Sequence, residues 1–102
     1  FAAETVVLAG GATRSNLWPQ IHADVSNLPL TLTKVPDAPA LGSAILAAVG
    51  SGAYSDIGSA SRKMVQIDRV IEPNPETHGL YQSFYQSYRD HYLAMKNARS
   101  GL

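Results

Sequence analysis

The stretch VVLAGGATRSNLW, Val6 to Trp18, constrains the fold of this chain more than any other. Val6-Val7-Leu8-Ala9 is short, apolar and rich in β-branched residues, so it reads as a strand buried on both faces. Gly10 and Gly11 follow at once. Without a Cβ they let the backbone turn sharply or lie close to something bulky. Ser15 or Asn16 can then cap a helix whose apolar positions begin at Leu17. Strand, glycine turn and helix start make the chain α/β. The same arrangement either seats a nucleotide or is a plain packing turn.

Downstream, the pattern continues as alternating helices and strands. Leu17, Ile21 and Val25 recur at four-residue spacing and predict an amphipathic helix to about Val25, ended by Asn27-Leu28-Pro29. Leu30 to Val35 alternates apolar residues with Thr and Lys, as a half-exposed strand does. Asp37 stands where a helix cap belongs, and Pro39 fits a first turn. From Ala40 to Val49 the next helix is apolar nearly all round and small, which predicts burial and close packing through Gly42, Ser43 and Ala44. Gly50 and Gly52 stop it. Asp56 to Val65 reads as a short helix with Ile57, Ala60 and Met64 inward. Val65 to Ile71 reads as a final strand or extended segment, closed by Pro73-Asn74-Pro75. Tyr81, Tyr85, Tyr88 and Tyr92, with Phe84 and Met95 beside them, mark one face of a long helix from Thr77 to Asn97. That face reads as core. No internal repeat, low-complexity tract or second domain is visible, so residues 1–102 read as a single, incomplete domain.

Composition narrows the function classes. A chain of 102 residues buries roughly 65% of its unfolded surface, enough for a modest core. Eight basic residues balance eight acidic ones, so no net charge recruits nucleic acid or an anionic membrane. The chain has no cysteine, which excludes disulfides and thiolate metal sites and is compatible with a cytoplasmic location. The longest apolar run, Ala44 to Val49, is far below the roughly 18 residues a membrane span needs. No secretory signal is visible at the amino terminus. The chain begins at Phe1, almost directly in a strand, which suggests a piece of something longer.

Few residues present themselves for chemistry. The glycine turn lacks the full G-x-G-x-x-G of a dinucleotide site and the G-x-x-x-x-G-K-[ST] of a P-loop. Its physics still suits a nucleotide, because backbone N–H groups after the glycines can face a phosphate or ribose oxygen. His22, His78 and His91 lie far apart, without the pairing typical of metal ligands, and read as surface or interface residues. No G-x-S-x-G elbow surrounds any serine. Asp24 reads as making a buried hydrogen bond to neighbouring backbone, Trp18 as packing. The tyrosine row lacks the interleaved basic residues of a single-strand binding platform.

Taken in order, GGATRSNLWPQIHADVSNLPL, DAPALGSAILAAVGSGAYSD, PNPE and the spaced tyrosines resemble the carboxy-terminal end of the FGGY carbohydrate kinases. The resemblance runs from Val6 to about Met95, and its Ser-x-x-Trp-x-Gln-Ile-x-Ala-Asp form looks closer to the pentulose kinases, xylulokinase and ribulokinase, than to glycerol kinase. It implies part of a ribonuclease H-like, actin-like ATPase domain, with a few strands, packed helices and a long carboxy-terminal helix. It also implies ATP as cofactor with Mg2+, a sugar as substrate, and the rest of the kinase chain as partner. A homodimer is compatible with it. VVLAGGATRS matches the family's adenosine motif, so Gly10, Gly11 and Ala12 would approach the nucleotide through their backbone. Ser15 would stand near the adenine, and the helix from Ala40 to Val49 would pack behind the motif. Many relatives carry Glu where this chain has Asp37.

The family's phosphate loop, sugar-binding residues, catalytic Asp and metal ligands match nothing in this chain, so no catalytic or metal-binding residue is expected here. The expectation is the nucleotide-binding part of a sugar kinase, inactive alone. Its rivals are a degenerate actin-like domain that does not phosphorylate, and a Rossmann-type enzyme, against which Pro36 and the missing third glycine argue.

Overall fold

The computed structural model describes residues 3–101. Among them, β1 (Val6–Leu8) leads through a short 3-10 helix (Gly11–Arg14) into α1 (Leu17–Ser26) and β2 (Leu30–Thr33). Two helices follow, α2 (Ala38–Gly50) and α3 (Ile57–Met64), then β3 (Ile67–Ile71) and the long α4 (Pro75–Ser100). The strands form one sheet in the order β1-β2-β3, with β1 parallel and β3 antiparallel to β2. The α/β reading holds.

The pleat explains the core. Leu30 and Leu32, two residues apart on the central strand, point to one face and are almost fully buried against Ala23 of α1. Val6 and Leu8 lie opposite them in register, and Ile71 opposite Leu30, so all three rim the same cluster. Thr31 and Thr33 take the other face, as the alternation predicts. A bulge between Leu32 and Thr33 lets β3 leave the regular ladder.

Polar side chains set the helix boundaries. Ser15, not Asn16, makes the side-chain bond at the start of α1: its Oγ accepts from Trp18 N at 3.2 Å. Asn27, in the left-handed conformation, ends that helix. Asp37 caps α2 through Ala40 N at 3.0 Å, with Pro39 in the first turn. Asp56 caps α3 through Ser59 N, and Asn74 caps α4 through Glu76 N and Thr77 N. Helix α4 therefore starts at Pro75, two residues before the expected Thr77.

Asp24 ties the two ends of this layer together. The residue is 4% exposed, and its Oδ1 accepts from Gln20 Nε2 and from the Asn74 backbone N, both at 2.8 Å. His78 Nδ1 lies 2.8 Å from the Asp24 carbonyl oxygen. That oxygen can only accept, so Nδ1 carries the proton. Asp24 is thus a buried acceptor for backbone, but of Asn74, 50 residues on, and not of its own neighbours as expected. His22 and His91 are exposed, as expected of them, and His78 is half-buried.

Five burial expectations are corrected. Val7 is 63% exposed, because β1 is an edge strand whose outer face no described element covers. Helix α1 buries Pro19, Ala23 and Asp24 rather than Leu17, Ile21 and Val25, since the small Ala23 lets it approach β2 closely. Helix α2 buries only Ile45, packing on α3 while Leu46 faces outward; on α3, Ala60 is buried, Met64 half-buried and Ile57 exposed. The largest difference is α4, which buries no residue at all. Only its first turns lie against α1, leaving Phe84, Tyr85, Tyr88, Tyr92 and Met95 exposed.

The reason is length. At 26 residues α4 spans about 39 Å, well beyond a sheet of short strands. The radius of gyration is 19.3 Å, against about 13 Å for a compact chain of this size.

Candidate functional site

Strands β1 and β2 run parallel, so the chain leaves both at the same edge of the sheet. The glycine turn follows β1, and Pro36-Asp37 follows β2. The two exits are joined directly, because Gly10 N donates to the Pro36 carbonyl at 2.7 Å. Between them lies a shallow depression of about 310 Å³, lined by Gly10, Gly11 and Arg14 and by Pro36, Asp37 and Pro39. In open α/β sheets, ligands sit beyond the carboxyl ends of parallel strands.

The two glycines are there for different reasons. Gly10 has φ 87° and ψ −165°, a conformation essentially restricted to glycine, so the turn itself requires it. Gly11 has no positive φ, and a Cβ built on it would meet nothing within 4 Å. Neither backbone conformation nor crowding within the chain explains a glycine at Gly11. Its surface stands open toward the depression.

Beyond the glycines the backbone closes on itself. Thr13 donates to the Gly10 carbonyl through both its N–H, at 3.1 Å, and its Oγ1, at 2.7 Å. Ser15 N reaches the Ala12 carbonyl at 3.4 Å. The N–H groups of Gly11 and Ala12, at the start of the 3-10 helix, have no acceptor among the described residues. Ala12 is half-buried beside the depression, outside its lining. Ser15 lies outside the lining too; its oxygen is taken by Trp18 N, and its hydroxyl proton remains free to donate. Of the four residues singled out from sequence, the structure brings Gly10 and Gly11 to the depression itself.

Sequence reasoning missed Arg14, Pro36 and Pro39 as lining residues and read Asp37 only as a cap. The available signal was topological: two adjacent parallel strands with their exits at one edge place residues 26 positions apart, Gly10 and Pro36, side by side. Arg14 and Asp37 give the depression one charge of each sign.

A larger hollow of about 390 Å³ runs along Tyr92, Met95, Lys96, Arg99 and Ser100. It lies on one side of α4 alone, and a single helix face supplies no converging walls. The described residues hold no group of three His, Asp or Glu side chains suited to a metal. One carboxylate, already bonded to Ala40 N, is too few oxygen ligands for a divalent ion, and the free backbone N–H groups can only donate, as to an anionic or polar oxygen. No helix among the described residues is long and apolar enough to cross a membrane.

Comparison with known proteins identifies the family. Residues 2–51 match the model of the carboxy-terminal domain of the FGGY family of carbohydrate kinases. The chain is 41% identical over 98 residues to the autoinducer-2 kinase of Escherichia coli strain K12, an alignment covering 96% of this chain and 18% of that protein. It is 35% identical over 98 residues to a xylulose kinase of Staphylococcus epidermidis, covering 96% and 20%. A ligand-bound xylulose kinase from Lactobacillus acidophilus superimposes with a TM-score of 0.78 at 25% identity, over 91% of this chain and 19% of that one. The chain therefore spans about a fifth of the length of these relatives.

Proposed function

The chain belongs to the FGGY family of carbohydrate kinases, and from that membership we propose that it seats the adenosine of ATP in a protein that phosphorylates a sugar hydroxyl. The observation that carries the proposal is Gly11, open toward the depression with no reason inside the chain to be glycine. Gly10, Gly11 and Ala12 present backbone to the nucleotide, and Ser15 offers its free hydroxyl proton beside the base. When bound, ATP supplies the phosphoryl group that is transferred. What these residues do is hold and orient it.

Phosphoryl transfer depends on positioned phosphates, a metal and a base acting together. In this reading the catalytic base, the Mg2+ ligands and the sugar contacts belong to the remainder of a longer chain. Residues 1–102 are then one incomplete domain, inactive alone, in a cytoplasmic enzyme. The likeness to xylulose kinases supports a ketopentose such as xylulose or ribulose as substrate. The higher identity to autoinducer-2 kinases makes that compound the second candidate. Turnover of the full-length protein with each separates them.

The decisive experiment is calorimetric titration of the full-length protein with ATP, comparing wild type with Gly11→Trp. A Cβ at Gly11 meets nothing within 4 Å, and the indole beyond it should block close approach of the nucleotide. Loss of binding with an unchanged circular dichroism spectrum is the expected result. Unchanged affinity would make the glycine turn a packing feature and overturn the proposal.

A further inference from the structure

Gly10 holds its turn through one bond to a neighbour, and that neighbour is itself held. The Pro36 carbonyl accepts from Gly10 N at 2.7 Å and from Ala38 N at 3.2 Å. The next residue, Asp37, fixes the start of α2 twice. Its carboxylate accepts from Ala40 N at 3.0 Å, and its carbonyl accepts from Leu41 N at 3.0 Å. Resting on the nucleotide reading above, we propose that Asp37 is a positioning residue for nucleotide binding. By capping α2 it aims the Pro36 carbonyl at Gly10 N–H and so holds the glycine turn ready for its ligand.

The physical reason is preorganisation. A glycine at positive φ has several accessible conformations, and an exposed turn that samples them must be ordered again each time ligand binds. One short hydrogen bond from a fixed carbonyl selects a single conformation beforehand. That carbonyl is fixed only while the first turn of α2 is intact, and an aspartate cap protects that turn by satisfying an otherwise unpaired N–H. The work is done by an accepting oxygen at the cap, not by the negative charge.

Oxygen and charge can be separated in the full-length protein. Asp37→Asn and Asp37→Ser keep a capping oxygen and remove the charge, whereas Asp37→Ala removes both. ATP affinity by calorimetry should fall about three- to tenfold in Asp37→Ala, with sugar affinity unchanged. It should be restored to within about twofold of wild type in Asp37→Asn. Amide exchange across residues 9–14 should quicken in Asp37→Ala only. Should Asp37→Ala fail to fold, Asp37→Ser decides: near-wild-type affinity supports the cap, and loss overturns it.

A parallel loss in the Asn and Ser variants means the carboxylate charge touches the ligand, which overturns positioning. So does wild-type affinity in Asp37→Ala. Either result leaves the nucleotide seat itself standing if Gly11→Trp has abolished binding. Failure of wild type to bind ATP would remove both.

Discussion

The turn geometry requires glycine at Gly10 and not at Gly11, so on the proposed nucleotide reading substitution by alanine separates a cost to the fold from a cost to the ligand. Gly10→Ala forces a Cβ into a glycine-only region and should destabilise the protein by about 1–3 kcal/mol, seen as a lower melting temperature of the full-length chain. Gly11→Ala meets no atom within 4 Å and should leave the melting temperature unchanged while weakening ATP binding. Asp56 gives the pH counterpart. Bonds from the Ser59 hydroxyl, the Ser59 N–H and the Ser55 hydroxyl, in that order, hold its carboxyl below the ordinary aspartate value. A depressed carboxyl stabilises the fold above its unfolded pKa of about 3.9, and that contribution is lost as pH falls below it toward the folded value. The start of α3 should therefore stay capped at neutral pH and fray only in acid. A carbon-detected NMR titration of Asp56 checks this, and a midpoint at or above the ordinary value would refute it.

Among the elements, the bond from Asn74 N to Asp24 Oδ1 ties the start of α4 to α1, 50 residues earlier in the chain. Asp24→Ala strips two donors, Gln20 Nε2 and Asn74 N, of a buried acceptor and should cost about 1–3 kcal/mol. Asp24→Asn keeps an accepting oxygen and should cost less; equal losses in thermal melts of the two variants would count against that account. Element positions were legible in the sequence because their signals are local. Asp37 and Asp56 mark helix starts through their own side chains, and the alternation of Leu30 to Thr33 reports one buried face, whereas Asn74-Pro75 reads as the close of a strand and in the fold also caps α4. The glycine turn was legible for the same reason. Burial was not. Periodicity shows that Tyr81 to Tyr92 share a face, but it carries no information on whether another element lies against that face. The far lip of the depression was equally hidden, since Pro36 and Pro39 reach Gly10 only through the pairing of two strands.

For the molecule as a whole, the open edge of β1 and the aromatic row of α4 make the segment a poor monomer. An unpaired strand edge and an apolar surface of this extent both invite association. Expressed alone, residues 1–102 should self-associate with concentration in sedimentation velocity, and a monomer that unfolds cooperatively would contradict this. The unburied tyrosine face of α4 also has a calorimetric consequence. Hydration of apolar surface dominates the heat-capacity change of unfolding, and here much of that surface stays wet when the segment alone takes its shape. The heat-capacity signature should therefore be small for the isolated segment. In the longer chain proposed above, most of it should emerge only where another surface covers α4, and docking, more than local folding, would then be the step whose strength changes most steeply with temperature.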